Sequence, residues 1–143
     1  MSKEKRTILI IDDSPDDLEF YSQLLRRSNG AYNYSVLTAE SAEEGIEIFQ
    51  VHTVDCTFVD YNMPENDGLS VIETLRKSSN SAHVPMVILT GEPHQSVQAE
   101  AARQGALDYI LKDSVNSSET LERVIDKVIN WSEALNSGEV NVS

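Results

Sequence analysis

The chain has 143 residues, 40% of them hydrophobic, enough for one domain with a single two-sided core. Twenty-four acidic against eleven basic residues give a formal charge of −13, a surface that repels nucleic acid and anionic lipid and so argues against both as partners. No run approaches the ~20 apolar residues of a membrane span, and the apolar stretch after the charged start is too short for a signal peptide. The one cysteine, Cys56, lies inside an apolar run, which excludes an internal disulfide, suits core packing and fits the reducing cytoplasm.

In chain order, Ile8–Ile11 reads as a strand that stops on Asp12 and Asp13. Ser14 then supplies an N-cap, Pro15 the first helical position, and Asp16 and Asp17 the acids of a first turn. Leu18, Tyr21 and Leu25 recur at helical spacing, and a weaker strand follows around Ser35–Thr38. Ser41 and Glu44 form a capping-box pattern for a helix with Ile46 and Phe49 on its inner face. Thr57–Val59 is a second apolar run ending on a carboxylate, Asp60. A turn-rich segment, Asn62–Gly68, leads into a helix through Leu69, Ile72 and Leu75. Pro85 opens the strand Met86–Leu89, which ends on Thr90. A helix over Gln95–Gln104 stops at Gly105, a C′ glycine. Tyr109–Leu111 ends on Lys112, and Leu121, Val124, Ile125, Val128 and Ile129 mark the last helix. One folded unit is expected over 1–135, with a frayed polar tail over 136–143.

Five β-then-α units predict an α/β doubly wound parallel sheet with five flanking helices, because nearly all-apolar strands are buried on both faces. The flavodoxin-like order 2-1-3-4-5 places ligands beyond the carboxyl ends of the strands. Asp12, Asp13, Asp60, Thr90 and Lys112 all fall there. Clustered carboxylates repel by a few kcal/mol at ~4 Å and an effective dielectric near 20, so a pKa rises or a cation binds. Carboxylate oxygens with open positions suit Mg²⁺, and no His or Cys stands nearby in sequence to favour zinc. Three aspartates are neutralised by a divalent ion and Lys112. Phosphorylating Asp60 then adds about one negative charge, for Thr90 and backbone N–H groups to solvate. Taken singly, each residue has a plainer reading. Asp12 and Asp13 suit a helix N-terminus, Asp60 a turn, Thr90 a strand end, Lys112 a solvated surface, and Tyr109 a half-buried strand. Only the four strand ends together make one mechanism.

On these residues, and on Asp60–Gly68 with its Asp-x-x-Met-Pro-x-x-Asp-Gly spacing, the chain resembles the receiver domain of two-component response regulators over roughly Thr7–Leu135. The resemblance implies a CheY-like, stand-alone receiver that is not an enzyme beyond its own phosphorylation and dephosphorylation. Asp60 would be the phosphoacceptor, served by a histidine kinase, a histidine phosphotransfer protein or a small phosphodonor. Mg²⁺ or Mn²⁺ would be held by Asp13, Asp60 and the Asn62 backbone carbonyl, with Asp12 acting through water. Lys112 would contact the phosphoryl group, and Thr90 and Tyr109 would be the switch pair. Asn62 and Glu92 would tune phosphoryl lifetime, toward a short-lived signal. Output would pass to a protein target through the fourth helix, fifth strand and fifth helix.

The chain departs from the family where Asp113 follows Lys112 in place of the usual proline. A cis bond without proline costs about 3 kcal/mol, so a trans bond, an altered loop and a less available Lys112 are expected. Three other readings compete. A haloacid-dehalogenase-type phosphatase needs a second aspartate where Asn62 stands. A flavodoxin needs a small, hydroxyl-rich phosphate loop after the first strand, where the acids of 12–17 would instead repel the FMN phosphate. A receiver acting without phosphate, as a protein-binding module, keeps the same fold.

Overall fold

The computed structural model describes residues 3–78 and 84–137. His83, to which no role attaches, and the tail beyond Ser137 lie outside the described residues. The elements follow in strict alternation: β1 Glu4–Ile11, α1 Pro15–Arg26, β2 Tyr32–Ala39, α2 Ala42–Val51, β3 Cys56–Asp60, α3 Gly68–Arg76, β4 Met86–Thr90, α4 Gln95–Arg103, β5 Asp108–Leu111 and α5 Ser118–Ser137, with a 3-10 turn at Lys112–Ser114. The five strands are all parallel, in the order β2-β1-β3-β4-β5, as the flavodoxin-like reading requires.

Side chains leave a strand alternately to its two faces, and the central strands use both for burial. Ile8 and Ile10 of β1, Cys56 and Phe58 of β3, and Val87 and Leu89 of β4 pack with α1 and α5 residues including Leu18, Leu25, Leu121 and Ile125. Leu9 and Ile11, Val59, and Met86 and Ile88 pack on the other side with Phe49, Val71, Ile72, Leu75 and Ala101. Each Val, Leu, Ile, Phe or Met among them contributes about 1.5–3 kcal/mol when fully removed from water. Cys56 belongs to this core, fully buried, with its thiol pKa pushed up by burial.

The helix ends follow their sequence signals. Ser14 and Ser41 accept from the N–H groups of Asp17 and Glu44, and Asp67 accepts from Ser70 N–H. Gly105, at φ +104°, occupies C′ of α4. The Gly105 N–H donates to Ala102 O and the Ala106 N–H to Ala101 O, the pair of bonds a left-handed C′ residue makes possible. Two strands run longer than expected. β1 and β2 pair over eight residues, from Glu4 opposite Tyr32 to Ile11 opposite Ala39, whereas β1 meets β3 only from Ile8. The extra pairs are polar and half-exposed, held in part by Arg6, which lies 3.5 Å over the Tyr32 ring and pairs with Asp126 of α5. α5 likewise runs on through Asn136 and Ser137, where a frayed tail was expected.

Candidate functional site

Parallel register brings the polar strand ends to one level. Ile11 sits opposite Val59, Asp60 opposite Leu89, and Thr90 opposite Leu111. Asp12 and Asp13 therefore leave β1 beside Asp60, and Lys112 follows β5 next to the end of β4. Asp12 and Asp60 are almost wholly buried, while Asp13 is exposed. One carboxylate oxygen from each of the three lies within 4.8 Å of the others. Such a set, closed below by Asp12 and open above at Asp13, fits a hard divalent cation that keeps part of its water shell.

Local structure fixes these groups. Asp12 Oδ1 accepts the Ser14 N–H at 2.9 Å, and Asp60 Oδ1 accepts the Asn62 N–H at 3.3 Å. Gly68 closes the loop after β3 by donating its N–H to Tyr61 O at 2.9 Å. A Cβ at this position would stand 2.7 Å from Asp60 O and 2.9 Å from Tyr61 Cα, so the glycine of the Asp60–Gly68 motif is a close-approach requirement.

The electrostatics match the crowding. Burial, then the Asp12 charge, push the Asp60 pKa from 3.8 up to about 7, against the opposing pull of Lys112 and the Asn62 N–H. Burial works against the Lys112 ammonium. Its hydrogen bonds to Asp17 and Asp12, with the fields of Asp12 and Asp60, outweigh that and hold its pKa above the usual lysine range.

Lys112 Nζ donates to Asp17 Oδ2 at 2.8 Å and to Asp12 Oδ2 at 2.9 Å, and lies 3.5 Å from Asp60 Oδ1. Sequence alone marks Asp17 only as a first-turn acid of α1. Its contact with a residue 95 positions away leaves no trace in local pattern. It also corrects the charge count: Lys112 meets Asp12, Asp17 and Asp60, and with Asp13 of the acidic cluster the pocket holds four carboxylates against one ammonium, so a divalent ion would leave one negative charge in excess. Asp113 is exposed, and the carboxylates engaging Lys112 come instead from the residue after β1, the end of β3 and the first turn of α1. No cis peptide bond occurs among the described residues, as expected after Lys112, and the segment forms the 3-10 turn.

Thr90, Glu92 and Tyr109 form a second cluster beside the first. Thr90 Oγ1 donates to the Glu92 carbonyl at 3.0 Å, and Tyr109 Oη donates to the same oxygen at 3.3 Å. The His94 N–H, at the start of α4, donates to Tyr109 Oη at 3.1 Å. The main chain of Glu92 thus joins the two hydroxyls, a connection the sequence did not disclose. The Glu92 side chain itself is exposed, as is Asn62.

A buried acidic pocket with a lysine lies at the carboxyl edge of a doubly wound parallel sheet, an arrangement consistent with the phospho-aspartate site of a receiver domain. The response regulator receiver domain model matches residues 8–125; the chain belongs to that family, whose members serve two-component signalling and typically bind Mg²⁺ at such an acidic pocket. It is 35% identical over 106 residues to a probable cyclic di-GMP phosphodiesterase of Vibrio cholerae, covering 74% of this chain and 23% of that protein. Protein PilH of Pseudomonas aeruginosa is 29% identical over 122 residues, 85% of this chain and 96% of PilH. The crystal structure of the V. cholerae chemotaxis protein CheY4 superposes with a TM-score of 0.77 at 26% identity, covering 89% of this chain and 99% of CheY4. The chain thus spans less than a quarter of the first relative and nearly all of the other two. No helix among the described residues is long and apolar enough to cross a membrane.

Proposed function

We propose that residues 1–135 act as a phosphorylation-dependent receiver in which Asp60 accepts a phosphoryl group from a histidine kinase or a histidine phosphotransfer protein. The observation that carries this reading is a buried Asp60 carboxylate with two further carboxylates within 4.8 Å and an ammonium at 3.5 Å. An Asp60 oxygen attacks phosphorus, the P–N bond to the donor imidazole breaks, and its electron pair stays on the imidazole. The product is an acyl phosphate on Asp60. Asp13, Asp60 and the Asn62 carbonyl, with Asp12 through water, would hold Mg²⁺ or Mn²⁺, which would supply positive charge to the phosphoryl oxygens. Lys112 supplies the rest. Thr90 reports the new charge by giving up the Glu92 carbonyl, to which Tyr109 is also bonded, and the readout is a shift of α4, β5 and α5 toward a protein partner. Asn62 and Glu92, flanking the pocket, tune hydrolysis.

Radiolabel from a phosphodonor should appear on the wild type and vanish in Asp60→Asn. Labelling that persists in the variant would overturn the assignment. A receiver working without phosphate would show neither labelling nor a structural response to beryllofluoride.

A further inference from the structure

Asp17 borders the pocket, and phosphoryl chemistry at Asp60 leaves it unused. Its carboxylate makes the shortest contact of Lys112, 2.8 Å, on the side of the ammonium formed by α1. An acid at the third position of a helix commonly folds back onto the N-cap N–H. Here the Ser14 N–H goes to Asp12 Oδ1 at 2.9 Å, and Ser14 Oγ takes the Asp17 N–H at 3.2 Å. The start of α1 is satisfied without the Asp17 carboxylate, which is turned to Lys112 instead.

An ammonium has three donors. Two are committed to Asp17 and Asp12, and the nearest Asp60 oxygen stands at 3.5 Å, beyond a good hydrogen bond. Asp12 is wholly buried and belongs to the carboxylate cluster, whereas the Asp17 side chain is 39% exposed and lies at the rim. Of the two contacts, the one at the rim is the cheaper to exchange, because water can solvate the released carboxylate.

Resting on the reading of Asp60 as phosphoacceptor, we propose that Asp17 is a positioning residue that tethers Lys112 to α1 in the resting protein and yields it to the phosphoryl oxygens of phospho-Asp60. The tether opposes the bound phosphoryl group by the strength of a half-exposed ion pair, and it makes the site more negative toward an incoming donor. Removing it strengthens binding of a phosphoryl mimic by about fivefold, the equilibrium effect of one such pair.

The test uses the full chain in saturating Mg²⁺, with beryllofluoride as the probe. Its affinity is read from amide shifts, and the ¹⁵N-ammonium resonance of Lys112 reports the tether directly. Asp17→Asn and Asp17→Ala should each bind beryllofluoride about fivefold tighter, with the Lys112 resonance displaced in the unliganded protein. Asp16→Asn removes the same charge one residue away at an exposed position and should stay near wild type in both readouts. Unchanged or weaker binding in both Asp17 variants, an unmoved Lys112 resonance, or an equal gain in Asp16→Asn overturns the tether. A wild type that binds no beryllofluoride at all would instead overturn the phosphoacceptor reading, and the tether's role with it.

Discussion

Replacing Asp60 by asparagine should make the metal-free protein more stable at neutral pH, although it removes a charged partner of Lys112. Burial and the Asp12 charge raise the Asp60 pKa from 3.8 to about 7 in the folded state. Between those values the native protein holds a proton that the unfolded chain has lost. Stability therefore falls as pH rises from about 4 to about 7, and the loss is complete above that window. A lone group with that separation would lose about 4 kcal/mol. Attraction to Lys112 and water entry at the exposed Asp13 rim reduce the expected gain in Asp60→Asn to roughly 1–3 kcal/mol at pH 8. Urea unfolding in EDTA, at pH 5 and pH 8, measures it. A variant equal to or less stable than wild type at pH 8, or a wild type whose stability does not fall across the window, would refute the reasoning.

The same proton competes with the cation, so Mg²⁺ affinity measured by calorimetry should rise with pH through about 7 and level off above it; a flat profile from pH 6 to pH 8 would contradict this. Asp13→Asn should weaken Mg²⁺ about tenfold or more, because it removes an exposed carboxylate from the cluster. Gly68→Ala should destabilise by roughly 1–3 kcal/mol in thermal unfolding, since its Cβ meets backbone atoms of Asp60 and Tyr61 that no rotamer change can move. Tyr109→Phe removes the acceptor of the His94 N–H, so that amide should exchange with solvent faster while the Asp60 site still takes up label.

What the sequence disclosed and what it withheld divide along a physical line. Strands buried on both faces are written as apolar runs, and Ile8–Ile11, Thr57–Val59 and Met86–Leu89 announced themselves with the residue that ends each one. Caps are local chemistry, so Ser14, Ser41 and Gly105 were legible too. The outer pairs of β1 and β2 were not. Their polar residues are held by register and by Arg6, whose partners Tyr32 and Asp126 lie far along the chain. The 2.8 Å bond between Lys112 and Asp17 was hidden for the same reason, whereas the neighbouring Asp113 is visible in sequence but is not among the partners of Lys112. The carbonyl of Glu92 was invisible because main-chain acceptors carry no letter of their own.

Everything proposed for this pocket depends on a phosphoryl group reaching Asp60. The direct measurement incubates the full chain with a phosphohistidine donor and Mg²⁺, reduces the acyl phosphate with borohydride, and maps the product by tandem mass spectrometry. Reduction is expected at Asp60 alone, and is lost when EDTA replaces Mg²⁺. Reduction at another residue, or none at Asp60 with the cation present, would contradict it.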